Sequence, residues 1–328
     1  AARPLNRRHG YLRVWSFADT DATGVRDEAS RLAGLLPPHG LVLDLRGNPG
    51  GNVPTAELLL QVFTTGHVLP AGFSLANTTL TLAMSHADPD QLGRWTPSLQ
   101  LAVGTGEPYS QALPLTGERQ ANELPRERRY RGPVVLIVDA LTYSAADIFA
   151  AGFQDNRLGP ILGTSATTGA GGANVWTAAQ IAQRLGDTDH GPVLPTAGGS
   201  FTVAVRRATR VGDQAGLPLE DIGVIADSVH HLTRADLTDG NRQLLRARRG
   251  PARLAPLDVA PAQLLELAAV LGLAGLLLDL LDELLALGAA GEVLDELGDR
   301  CHGVLLLAGC CRRSLHPAGP VAPGSMPC

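Results

Sequence analysis

The chain has 328 residues, of which 45% are hydrophobic and 18% charged, a balance that supports one large buried core or two smaller ones and excludes a disordered polymer. A formal net charge of -5 provides no cationic field for phosphate, so nucleic acid is not expected as a partner. All 27 basic side chains are arginine, so no lysine amine is available to any chemistry.

In chain order, Tyr11 to Phe17 (YLRVWSF) alternates and is rich in β-formers, which predicts a strand. Arg26 to Leu36 carries apolar residues at helical spacing and is stopped by Pro37, Pro38 and Gly40. Leu41 to Leu45 is a short apolar run ending at a turn signal, and Ala56 to Phe63 predicts a second helix after Gly50 and Gly51. Residues 64–131, rich in Pro, Gly and Thr, predict an irregular insertion over one face, with a weak strand at Ser74 to Ala83. Pro133 to Asp139 (PVVLIVD) is a continuous apolar run, as in a strand covered on both faces, and a helix follows over Ala145 to Asp155. Further strands are expected at Ile161 to Gly163 and Ser200 to Arg206, so the alternation predicts an α/β domain with a mostly buried sheet flanked by helices.

Two boundaries divide the expected organisation: a core over 1–250, a leucine-rich helical extension over 251–300, and a tail over 301–328 without periodicity that is expected to be disordered. Leu264 to Leu287 is apolar enough to resemble a membrane span. Glu266, Asp279, Asp282 and Glu283 interrupt it, and an amphipathic helix pair is the expectation instead. Cys301, Cys310, Cys311 and Cys328 all fall after this point without zinc-ligand spacing, so neither a core disulfide framework nor a metal site is expected. The chain opens at Ala1, and no signal peptide is read from it.

Three segments carry the chemistry: LDLRGNPGGN at Leu43 to Asn52, VDALTYSAADIFAAGFQDN at Val138 to Asn156, and GTSATTGAGGANVW at Gly163 to Trp176. A strand ending in a Gly-Gly turn is able to aim backbone N–H groups at one point, because glycine tolerates the dihedrals and leaves room for a carbonyl. A serine at a strand-to-helix junction gains an exposed hydroxyl at the positive end of the helix dipole. Singly, an NPGG sequence is a turn and a serine before a helix is a cap. Neither GxGxxG nor GxxxxGKS occurs, so no nucleotide cofactor is expected.

Together and in this order, the segments resemble the C-terminal processing (tail-specific) serine peptidase family, whose relatives include the tricorn core peptidase. The resemblance covers residues 10–248. It runs through GYLRVWSF as an opening strand, LVLDLRGNPGG as a glycine turn, YSAADIFAAGFQDN as a nucleophile segment and GLPLEDIGVIADSVHHLTRADL, at Gly216 to Leu237, as a closing segment. It implies a ClpP/crotonase-like fold for a peptidase-like core over 1–250, Ser144 as nucleophile, an oxyanion hole on the backbone of Gly50, Gly51 and Ala145, and a peptide or protein as substrate. Gly51 is the better of the two glycines for the donor.

Two departures accompany the match. Where the processing peptidases carry a lysine as general base in a TFGKG-like segment, this chain has TTGAG, with Ala170 or Gly169 at that position. Where tricorn-like members carry a histidine on the opening strand, the matching residue is Arg13, which is protonated at any workable pH. His231 and His230 in the closing segment are then the candidate bases by intrinsic pKa, ahead of His9, and Glu220 matches an acidic position that in tricorn-like members orients the catalytic group. Two rivals remain: a catalytically inactive family member that binds peptides or small apolar ligands, favoured by the missing lysine, and a crotonase-type acyl-CoA enzyme, disfavoured by Ser144.

Overall fold

A computed structural model describes residues 1–186 and 201–247. The first part of the chain forms β1 (Ala2–Pro4), β2 (Gly10–Arg13), α1 (Ala22–Gly34), β3 (Leu41–Asp44) and α2 (Val53–Leu60), the last prolonged by a 3-10 turn at Gln61–Phe63. Then come β4 (Gly72–Leu75), α3 (Thr79–Ala87), α4 (Pro89–Leu92), α5 (Thr96–Thr105), β5 (Leu113–Pro114), β6 (Val134–Val138) and α6 (Ala145–Asp155). The remainder forms β7 (Ile161–Gly163), β8 (Ala173–Thr177), α7 (Ala178–Leu185), β9 (Thr202–Thr209), β10 (Ser228–Val229), α8 (Arg234–Thr238) and α9 (Arg242–Ala247). The leucine-rich extension and the tail expected over 251–328 lie outside the described residues. No helix among the described residues is long and apolar enough to cross a membrane.

One sheet has the order β1-β2-β3-β6-β7-β10, and from β2 to β10 every neighbouring pair is parallel. Its pleat sorts the apolar residues onto two faces. Leu41, Leu43, Leu136 and Val138 join the large core with α1, α2 and α6, while Val42, Ile137 and Leu162 form a smaller cluster on the other face, capped by Leu244 of α9. Because both faces are covered, these strands are continuous apolar runs in sequence. Phe149 of α6 packs between Phe17, Phe63 and Phe153 with ring centroids 5.8, 6.4 and 6.3 Å away, which fixes the helix against the glycine turn and α2. This is a ClpP/crotonase-like α/β core with a buried sheet flanked by helices.

The second sheet is antiparallel, in the order β5-β4-β9-β8. It corrects the expectation of an irregular segment at 64–131, which supplies β4, β5 and three helices. The strand expected at Ser74 to Ala83 ends at Leu75, and Thr79 begins a helix. The alternation in TLTLA looks like a strand, but the Thr78 side chain accepts from Thr81 N–H at 3.0 Å while Thr81 Oγ1 accepts from Thr78 N–H, a reciprocal cap that starts a helix. Trp95, at the start of α5, is buried and donates to the Phe73 carbonyl at 2.8 Å, tying these helices to β4.

Candidate active site

In a parallel sheet, the carboxyl ends of the strands share one edge, and ligand chemistry collects there. Here that edge carries the segments following β2, β3, β6, β7 and β10. After β3 the chain enters a turn with positive φ at Gly47 (69°), Gly50 (92°) and Gly51 (139°), which L side chains rarely adopt. Asn48, fully buried, fixes this turn: its Nδ2 donates to the Val14 carbonyl at 3.1 Å, and its Oδ1 accepts the Gly50 N–H at 2.9 Å. Gly51 forms an isolated parallel bridge with Phe17, in which Phe17 N–H bonds the Gly50 carbonyl at 2.9 Å and Asn52 N–H bonds the Phe17 carbonyl at 2.7 Å. That pairing uses the groups on either side of Gly51, so its own N–H faces away from Phe17 and has no partner among the described residues.

The second turn joins β6 to α6. Asp139 Oδ1 accepts from Gly47 N–H at 2.9 Å, and Tyr143 N–H donates to the Asn48 carbonyl at 2.9 Å, so the two turns are bonded to each other. Ser144 holds φ 58° and ψ -121°, a conformation that costs a non-glycine residue about 1–3 kcal/mol and persists only where the surroundings impose it. Although Ser144 occupies the N-cap position of α6, its side chain does not cap the helix, and its Oγ makes no hydrogen bond among the described residues. The Ala145 N–H, first in the helix, likewise has no partner among them. A Cβ added to Gly50 would stand 2.7 Å from Ser144 Cβ, 2.7 Å from Ala145 N and 2.6 Å from the Tyr143 carbonyl oxygen. The structure therefore brings together Ser144, Ala145, Gly50 and the adjoining Gly51. Gly50 contributes the close approach and not a free donor, since its N–H is held by Asn48.

Asp147, buried in the first turn of α6, accepts from Ala170 and Gly171 N–H at 3.1 and 3.0 Å, and the Ser144 backbone and Thr168 hydroxyl also favour its charged form. Burial pushes its carboxyl above the usual carboxylate range, and these donors work against that. The TTGAG segment is thereby held against the turn before Ser144, and the Tyr143 ring lies so close over Gly169 and Gly171 that a Cβ there would meet it at 2.5 and 2.3 Å.

The remaining candidates occupy distinct surroundings. Glu220 follows Leu219, which packs on Gly172, and the next residue, Asp221, donates its N–H to the Ala170 carbonyl at 3.0 Å. Its carboxyl is pushed up by burial and by the Asp221 charge, against the pull of Arg207. His230, just past β10, places Nε2 2.8 Å from Asp236 Oδ2, within a node where Asp236 also accepts from Thr233 and from Gln243 and Leu244 N–H. Burial opposes ionisation of Asp236, but the His230 ring and these donors hold its carboxyl well below the ordinary range. His231 is exposed. His9 precedes β2, at the opposite edge of the sheet from Ser144. Arg13 pairs with Asp44 at 3.9 Å, donates to the Arg46 carbonyl at 2.9 Å and lies 3.5 Å over the Trp15 ring. No cluster of metal-ligating side chains is present among the described residues.

Reading the motifs does not single out Asn48, Asp147 or Thr168, whose side chains tie the glycine turn and the TTGAG loop in place. Only Asp147 carries a local signal: Ser144-Ala145-Ala146-Asp147 has the spacing of a capping box.

A parallel α/β core that presents an unbonded serine hydroxyl, in a strained turn, beside a glycine turn at the carboxyl edge of its strands defines a hydrolase-like site. The profile of peptidase family S41 matches residues 8–186, more than half of the chain, and the chain belongs to that family, the C-terminal processing serine peptidases. No curated protein matches it. Among solved structures, mature CPAF complexed with lactacystin and mature CPAF alone each align with a TM-score of 0.53 at 18% identity, over 73% of this chain and 50% of theirs. The photosystem II D1 C-terminal processing protease aligns at 19% identity with a TM-score of 0.40, over 68% of this chain and 42% of its own. The chain thus spans about half the length of the CPAF structures, which resemble it in fold.

Proposed function

We propose that this chain hydrolyses peptide bonds with Ser144 as nucleophile and the N–H groups of Gly51 and Ala145 as the oxyanion hole. Ser144 Oγ would attack the carbonyl carbon of a peptide or protein substrate and give up its proton to a base. The carbonyl oxygen takes the negative charge between the two N–H groups at the positive end of α6. Collapse of this intermediate expels the amine with a proton returned from the base, and water then releases the acyl group by the same steps in reverse. Membership of family S41 supports the reaction class. The observation that carries the assignment of residues is Ser144 itself, held out of the cap in a positive-φ conformation against Gly50.

For the base, Glu220 leads the histidines. Its segment is bonded through Asp221 and Ala170 to the loop beside Ser144, whereas the His230 ring is engaged by Asp236. A carboxyl raised by partial burial is also a stronger base than an ordinary carboxylate. The test is a fluorophosphonate probe on the full chain: labelling of wild type and none of a folded Ser144→Ala variant is expected. Persistence of the label in that variant, or a folded wild type that never labels, overturns the assignment; the second result is what a non-catalytic binding protein gives.

A further inference from the structure

Buried carboxylates on this chain mostly face a cation or an imidazole: Asp44 has Arg46 at 2.7 Å, Asp155 has Arg210 at 2.5 Å, and Asp236 has His230 at 2.8 Å. Asp147 differs. Fully buried, it has no ion-pair partner among the described residues, and its two oxygens accept the N–H groups of Ala170 and Gly171. Those donors come from the loop Thr168–Gly171, and the carboxylate itself stands three residues after the serine proposed to attack. Among the described residues only five non-glycine positions have positive φ; Ala170, at 63°, donates to this carboxylate, and Ser144, at 58°, opens the helix that carries it.

A serine at an N-cap has an ordinary alternative: extended dihedrals, with its own oxygen accepting an N–H of the first turn. In that state Oγ is consumed by the helix. Ser144 does not take it: at φ 58° and ψ -121° its side chain makes no cap bond, which leaves the hydroxyl outside the helix. The Asp147 carboxylate grips Ala170 and Gly171, and from there Asp221 N–H to Ala170 O and Val224 N–H to Thr168 Oγ1, at 3.0 and 2.8 Å, carry the connection into the segment bearing Glu220.

We propose that Asp147 is a positioning residue for the reaction: its carboxylate fixes the Thr168–Gly171 loop, and with it the Glu220 segment, against the start of α6 that carries Ser144. This rests on Ser144 being the nucleophile. It touches neither substrate nor the reacting atoms. Its loss therefore acts on the chemical step and leaves substrate binding largely intact.

The test uses Asp147→Asn, which keeps the shape but turns one acceptor into a donor facing N–H groups, beside Asp147→Ala and Ser144→Ala in the full chain. Fluorescein-labelled casein gives kcat and KM, fluorophosphonate labelling gives the reactivity of the hydroxyl alone, and circular dichroism checks folding. Misplacing a reacting group by about 1 Å costs on the order of 100-fold, so a folded Asp147→Asn is expected to lose about 100-fold in kcat and in labelling rate, with KM within about twofold. A folded Asp147→Asn or Asp147→Ala that labels at the wild-type rate overturns the positioning role, as does a loss confined to KM. Label persisting in Ser144→Ala overturns the nucleophile assignment and this proposal together. Label lost there but undiminished in the Asp147 variants overturns the positioning role alone.

Discussion

Two halves of the site obey different rules. The half formed by the glycine turn and the start of α6 is made of backbone: Gly51 N–H, Ala145 N–H and the close approach of Gly50 to Ser144 follow from dihedrals and from Asn48 and Asp147. The half proposed to move a proton is made of side chains, with Ala170 in the TTGAG loop, Arg13 at the end of β2 and His230 bound to Asp236. Backbone donors depend little on the identity of a side chain, whereas a base depends on it wholly. The two halves are therefore to be tested separately.

The largest effect is expected where they meet. Ser144→Ala removes the nucleophile and should lower hydrolysis by about 1000-fold or more, measured on casein with folding confirmed. Next comes the backbone half: Gly51→Ala would place a Cβ 2.3 Å from the Phe17 carbonyl carbon, which shifts the turn and its N–H. A loss of about 100-fold or more in kcat is expected, and unchanged turnover in a folded variant would locate the oxyanion hole elsewhere.

For the proton-handling half, Glu220→Gln should cost about 100-fold, at the low end for general-base catalysis, while His230→Ala and His231→Ala should each stay within about threefold. Because the base works deprotonated and the Glu220 carboxyl is raised by burial and Asp221, wild-type activity should climb with pH through a window above the ordinary carboxylate range and then level off. A profile controlled by either histidine would reverse this ranking.

The smallest effect on catalysis is expected at Glu57 of α2, fully buried and accepting from Ala71 N–H and the Thr116 hydroxyl. Burial pushes its carboxyl from 4.5 up to about 7, against those two donors. Folded Glu57 binds its proton more tightly than unfolded, so the contribution to stability is complete below 4.5 and lost as pH rises through about 7. The loss is on the order of 3 kcal/mol. Glu57→Gln should flatten that slope in denaturant titrations from about pH 5 to 8 and leave kcat unchanged. A wild type with no such slope would show that Glu57 is not neutral in the fold.

What the sequence made legible follows the same division. Leu41 to Leu45 and Pro133 to Asp139 are readable because strands covered on both faces must be apolar throughout, and α6 is readable over Ala145–Asp155 because its apolar spacing is local. Thr79–Ala87 misled because its alternation mimics a strand and only the Thr78 to Thr81 spacing gives the helix away. β8 and α7 are not legible because WTAAQIAQ is short and joins two elements without a break. The partnership of His230 with Asp236 could not be read either, since it requires α8 to fold back on the end of β10. Arg13, by contrast, disclosed its unfitness as a base from residue type alone.

The two sheets are interleaved along the chain. β4 finds its partners in β5 and in β9, whose register with β4 runs from Gly72↔Thr209 to Leu75↔Arg206, while β6, α6 and β7 of the parallel sheet are strung between them. A ribosome therefore releases the serine-bearing turn before the strand that completes the antiparallel sheet exists. Neither sheet is a module that gene fusion or excision could carry off alone. Such long-range pairings are reached only after large loops close, which makes them slow.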